Sequence, residues 1–202
     1  MAVCLLLVAW ISADVLLRGP WTRLDASISS QLAGSGLRNR PWPGDVLYAL
    51  TLFGGRAEVL IVVGGFASLL AWRRRTWEPL SRLVAALILL TLTVYAFKLG
   101  VGRTAPTTDL LHAGGESYPS GHVPNAVVMW GLAAWLAADY GAPDVLRRML
   151  DRLRYVAPVL TAVGMLLLNY HWLSDLVAGG AVGIVLLWVL HRIFDRRRVL
   201  PA

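Results

Sequence analysis

Six apolar stretches alternate with short polar segments along this chain, a pattern that predicts an all-α, polytopic membrane protein. The stretches cover residues 1–17, 58–72, 80–101, 122–140, 155–171 and 174–194, each near the roughly 20 residues a helix needs to cross a bilayer. The second starts among charged and glycine-rich residues, so its helix is expected to begin upstream, near Leu47. The first has no basic leader and no small-residue cleavage site before the polar segment that follows, and reads as a helix rather than a signal peptide. The longest polar connection, residues 18–45, carries Leu24, Ile28 and Leu32 at helical spacing, which predicts a short helix lying in the membrane interface. Trp21 and Trp42 suit headgroup depth, and Pro41, Pro43 and Gly44 are expected to break the chain before it returns to the bilayer. With no internal repeat, residues 1–202 read as a single domain.

Composition supports this pattern. The chain is 57% hydrophobic with a mean hydropathy of +0.61, far more apolar than a soluble domain of 202 residues requires. A net charge of +7 would suit nucleic acid if the arginines shared one soluble face. They cluster instead between apolar runs: Arg73, Arg74, Arg75 and Arg82; Arg147, Arg148, Arg152 and Arg154; Arg192, Arg196, Arg197 and Arg198. The positive-inside rule places all three clusters in the cytoplasm, with both termini, and leaves residues 18–45 outside. Cys4, the only cysteine, can form no internal disulfide.

That threading gathers the unusual residues on the extracytoplasmic side. Lys98, the only lysine, ends the third apolar stretch, and Arg103 follows it; Ser120, Gly121 and His122 open the fourth; His171 and Asp175 flank the turn into the sixth. Ser120 is placed to cap the helix that follows, whose first amides would face an anion, and Gly121 allows close backbone approach. If a helical turn begins near His171, the Asp175 carboxylate can fix the imidazole tautomer and support its charged form, as for an activated histidine nucleophile. His122 can then protonate a leaving oxygen. Phosphoryl transfer requires little beyond these parts and an anion cradle.

Lys98 with Gly102, Arg103 and Pro106, then Pro119-Ser120-Gly121-His122, then His171-Trp172-Leu173-Ser174-Asp175 with Gly179 beyond, resembles the three-part signature of the type 2 phosphatidic acid phosphatase and vanadium haloperoxidase superfamily. The resemblance implies a six-helix lipid phosphatase in which His122 is the acid, His171 forms a phosphohistidine and Asp175 orients it. It implies no metal or other cofactor, and a lipid-linked monoester or pyrophosphate as partner: phosphatidate-like, phosphatidylglycerophosphate-like or isoprenyl. Two positions depart from the pattern. Ala105 stands before Pro106 where that family has arginine, and Gly164-Met165 stands where it has Ser-Arg. Each missing charge-assisted contact is worth roughly 1.5 to 3 kcal/mol, and Arg103 is the candidate to replace one of them. The alternatives are a phosphotransferase that passes the group to an acceptor alcohol, and a non-catalytic lipid-binding or scaffold descendant.

Simpler readings stand beside these. Either histidine alone could be satisfied by a backbone carbonyl, and a metal reading lacks a third strong ligand nearby in sequence. Ser120 has no nucleophile elbow around it. Asp109, His112 and Glu116 read as solvated loop, His191 as a bystander in the basic end, and Gly179 with Gly183 as a close helix contact.

Overall fold

The computed structural model describes residues 1–107 and 116–199, so Asp109 and His112 lie outside the described residues. Its helices are α1 (Ala2–Leu17), α2 (Pro20–Ser35), α3 (Pro41–Thr51), α4 (Arg56–Arg74), α5 (Glu78–Val101), α6 (His122–Asp139), α7 (Asp144–Leu167) and α8 (Leu173–Val199), with a 3-10 turn at Leu37–Asn39. The described residues contain no strand beyond an isolated bridge between Thr104 and Glu116.

Helix α6 is the centre of the bundle and touches α4, α5, α7 and α8. Its small residues, Ala126, Gly131, Ala133, Ala134 and Ala137, are buried, and so are the larger Met129, Leu132 and Leu136. On α8, a Cβ at Gly179 would stand 3.1 Å from Pro124 Cδ, and one at Gly183 would stand 2.8 Å from Val127 Cβ. The paired glycines therefore bring α8 against α6, as their spacing predicts. Large apolar side chains face outward around the bundle, among them Leu6, Leu17, Ile61, Leu92, Leu99 and Val159. Such a girdle is costly in water and natural in lipid.

Two helices, α5 and the Leu173–Asp195 part of α8, are individually long and apolar enough to cross a membrane. The bent pairs α1 with α2 (76°) and α3 with α4 (45°) raise the number to four among the described residues. Helix α6 falls outside it because His122, Pro124, Asn125 and Asp139 lower the hydropathy of its 18 residues. Helix α7 does so because its first half is charged, from Asp144 to Arg154. The expected stretch 155–171 is thus displaced: the helix starts eleven residues earlier and ends at Leu167, where Asn169 takes a left-handed conformation and the Tyr170 amide bonds back to Met165 O at 2.9 Å. Pro41, expected to break the chain, instead begins α3 at a position where no helical donor is required.

The two bends have different origins. Between α1 and α2, Arg18 is left-handed and the Asp14 carboxylate accepts from the Thr22 amide at 3.1 Å, so a side chain of α1 caps α2. Between α3 and α4, the Asn125 amide of α6 donates to Gly54 O (3.0 Å) and Gly55 O (3.3 Å), satisfying carbonyls that the break leaves bare.

The far end of the bundle is held by Arg82, which is fully buried. It pairs with Asp139 at 2.6 Å and with Glu78, and its guanidinium lies 4.1 Å from the Trp135 ring centre. Arg74 reaches Tyr140 O nearby, so basic residues of α4 and α5 meet the end of α6. Lys98 is four turns further along α5, about 24 Å away.

Replacing Gly183 by alanine should lower the unfolding temperature in detergent, because Val127 and the Pro124 backbone leave no room; overpacking of this kind costs about 1–3 kcal/mol. Gly180→Ala, whose new methyl meets only Val123 Cγ1 at 3.7 Å, should leave it within a degree or two. Equal shifts in thermal denaturation would refute the close-packing role.

Candidate active site

Asp175 is among the most enclosed groups at the end of the bundle where Lys98 lies. Its side chain is wholly buried in the first turn of α8, and it has three partners. Oδ1 accepts from Arg103 Nη1 at 2.8 Å, while Oδ2 accepts from the Trp172 amide and faces His171 Nδ1, both at 3.3 Å. Helix α8 begins at Leu173, after His171, so the pair is not two positions on one helical face. Asp175 reaches back over the helix start, as the third residue of a capping box does, and the imidazole just before that start falls beside it. With Nδ1 carrying the proton and donating it toward the carboxylate, Nε2 is the nitrogen left free.

Arg103 carries the arrangement to a second carboxylate. Its Nη2 donates to Asp25 Oδ2 at 2.7 Å, its Nη1 also donates to Ser174 Oγ at 2.7 Å, and the guanidinium lies over the Trp172 ring. Asp25 Oδ1 accepts from the Ser174 amide at 3.0 Å, and the Ser174 hydroxyl donates to Oδ2. A side chain of α2 therefore caps α8. Asp25 is the only buried residue of α2 and is 1% exposed. The stripe Leu24, Ile28, Leu32 predicts the helix but not this residue. The available signal was Asp25 itself, a carboxylate at helical spacing between Trp21, Ile28 and Leu32 on what is otherwise an apolar line.

The serine and glycine take positions other than those expected. Gly121, not Ser120, precedes the first residue of α6, and no side chain caps that helix. Ser120 is fully buried under α8, where its amide donates to Asp175 O at 3.1 Å and Gly179 packs on its carbonyl. Its hydroxyl has no partner among the described residues. At Gly121 the space for a Cβ is open except for Val94 Cγ1 at 3.9 Å, so nothing of the protein fills the approach to this backbone.

His122 is half-buried and lies within electrostatic reach of His171, Lys98 and Arg56. Lys98 lies within reach of Glu116 and Asp175, and its ammonium donates to Glu116 O. That bond, the Ser117 amide to Arg103 O (2.6 Å) and Ser117 Oγ to Thr104 O (3.1 Å) fold the chain before Ser120 onto the end of α5. Tyr118, fully buried, adds a bond to Ser12 Oγ at 2.8 Å, and burial pushes its phenol above the ordinary value. His122, His171, Lys98, Arg103 and Asp175 thus share one end of the bundle, with Ser120 and Gly121 between them. Among the described residues no group of three or more His, Cys, Asp or Glu side chains converges as metal ligands would.

Residues 164 and 165 are fixed by packing. Met165 is buried against Val123 and Leu176. A Cβ at Gly164 would stand 2.7 Å from Leu47 O, so α3 lies directly on α7 there. Apolar packing and a close backbone contact fill that side of the site.

The fold defines the class as a helical membrane protein with its histidines gathered at one end of the bundle. The PAP2 superfamily model matches residues 79–199, and the chain belongs to that superfamily. It is 26% identical over 166 residues to phosphatidylglycerophosphatase B of Bacillus subtilis (strain 168), covering 80% of this chain and 79% of the relative. It also superposes, with a TM-score of 0.80 and 21% identity over 97% of this chain and 96% of the other, on a crystal structure described as the first transmembrane PAP2 type phosphatidylglycerolphosphate phosphatase from Bacillus subtilis.

Asp25→Ala leaves Arg103 half-paired in a nearly closed site, and breaking one partner of a buried pair costs about 3–5 kcal/mol. Amide exchange across Pro20–Ser35 should rise well above that of Asp25→Asn, which keeps an acceptor for Ser174. Unchanged exchange in Asp25→Ala would show that this carboxylate does not hold α2 down.

Proposed function

We propose that this protein hydrolyses a lipid-linked phosphate at the extracytoplasmic face of the membrane, through a phosphohistidine on His171. The observation that carries the reading is the contact of His171 Nδ1 with the buried Asp175, which leaves Nε2 as the nucleophile. Nε2 attacks phosphorus, the bond from phosphorus to the leaving oxygen breaks, and that oxygen takes its electron pair and a proton from His122. Water then attacks the phosphohistidine, gives a proton back to His122 and releases inorganic phosphate, with His171 restored. Lys98, the Ser120 hydroxyl, which has no partner among the described residues, and the amides opening α6 and flanking Gly121 would receive the equatorial oxygens. Arg103, with its charge already met by Asp25 and Asp175, acts chiefly as the brace of Asp175 and offers its remaining hydrogens to the phosphate.

The lipid part rests on location, since a site at helix ends inside an apolar girdle is reached most easily by an amphiphile whose tail stays in the bilayer. Six spans, with α2 lying at the outer surface, both termini inside and one domain throughout, complete the reading. The gathering of Arg74 and Arg82 at the end opposite the histidines supports that orientation.

Purified protein should release inorganic phosphate from a lipid phosphate in the presence of a chelator and form an acid-labile, base-stable labelled adduct. His171→Ala should lose both, and His122→Ala should slow turnover by about 10²–10⁴-fold. Release that persists in His171→Ala would end the phosphohistidine mechanism, and transfer to an alcohol without free phosphate would favour the transferase. For topology, a cysteine at Ser30 in a Cys4→Ser background should react with an impermeant maleimide in intact cells, and one at Val145 only after permeabilisation. The reverse pattern would invert the assignment.

A further inference from the structure

Arg56, the first residue of α4, is one of the cations at this end that the mechanism above leaves without a task. Its position is set by backbone contacts. The preceding Gly54 lies so close to α6 that a Cβ there would stand 2.5 Å from His122 O. Gly55, next to it, accepts from Asn125, three residues beyond His122. Arg56 therefore leaves the chain immediately beside the first turn of α6, on the His122 side of the site. Its side chain is exposed, and its guanidinium makes no hydrogen bond or ion pair with the described residues. Arg103 differs in being pinned by two carboxylates, and Lys98 in being bonded to a carbonyl.

We propose that Arg56 is a specificity-determining residue that binds a second phosphate on the leaving group of the substrate. The inference rests on His122 being the acid, as argued above. The acid stands where the leaving oxygen departs, so a cation beside it faces the leaving group rather than the equatorial oxygens of the transferred phosphate. His122 and Arg56 lie within electrostatic reach of each other. A leaving group that is a neutral diacylglycerol gives Arg56 nothing to bind. One that carries a phosphodiester, or the inner phosphate of an isoprenyl diphosphate, presents an anion a few bonds from the departing oxygen, where an exposed arginine can meet it bidentately. The favoured substrates are therefore lipids with two phosphates in series, of either kind.

The test compares kcat/KM of the full-length protein on phosphatidylglycerophosphate, an isoprenyl diphosphate and phosphatidate, for the wild type, Arg56→Ala and Arg56→Lys. The wild type should prefer the two-phosphate lipids. Arg56→Ala should cut that preference about tenfold or more, mainly through KM, and Arg56→Lys should keep much of it. A loss confined to phosphatidylglycerophosphate would identify the diester as the ligand, and a loss confined to the diphosphate would identify the inner phosphate. A preference unchanged within twofold in Arg56→Ala, or an equal fall on phosphatidate, overturns the role of Arg56 while leaving the phosphatase reading intact. A wild type that hydrolyses none of the three lipids removes both.

Discussion

Placing the Asp175 carboxylate where no water reaches it imposes most of the architecture at this end of the protein. A buried ionised carboxylate is tolerated only with close donors. Arg103 from the segment after α5, the Trp172 amide and the His171 ring supply them. The guanidinium that meets Asp175 brings a charge of its own, and Asp25 of α2 answers it. Helix α2 must therefore lie across the bundle end, and the bend that takes it there is fixed by another carboxylate, Asp14. Three acidic side chains at this end thus bond helix starts: Asp14 that of α2, and Asp25 and Asp175 that of α8. The start of α6 has no such side chain among the described residues.

A second buried charge answers the first across the bundle. Arg82, with Asp139, Glu78 and Trp135, ties α5 to α6 at the far end, and Arg103 ties the segment after α5 to α2 and α8 at the near one. Between them the bundle is held by small residues and close glycine contacts around buried Met129, Leu132, Leu136 and Leu190, with further large apolar side chains turned outward. Such a bundle keeps its helix ends in fixed register, and it is on helix ends that the histidines sit. Met165 is packed into apolar surroundings, and Gly164 allows α3 to lie against α7.

The membrane class, the apolar stretches, and the gathering of His122, His171, Asp175, Lys98 and Arg103 were legible in the order of residues. Bilayer thickness fixes how long an apolar run must be, and alternating passage through it brings the ends of successive helices to the same side. The chain order carried both pieces of information. What it did not carry was which donor meets which acceptor. The ends of α7, the bend between α3 and α4, the burial of Ser120 in place of a capping role, and the pairing of Asp25 with Arg103 across 78 residues were decided by the tertiary structure. Hydrophobic periodicity is a local property and survives in sequence. The pairing of buried charges depends on how helices pack in three dimensions, and Asp25 has nothing in its own neighbourhood to name its partner.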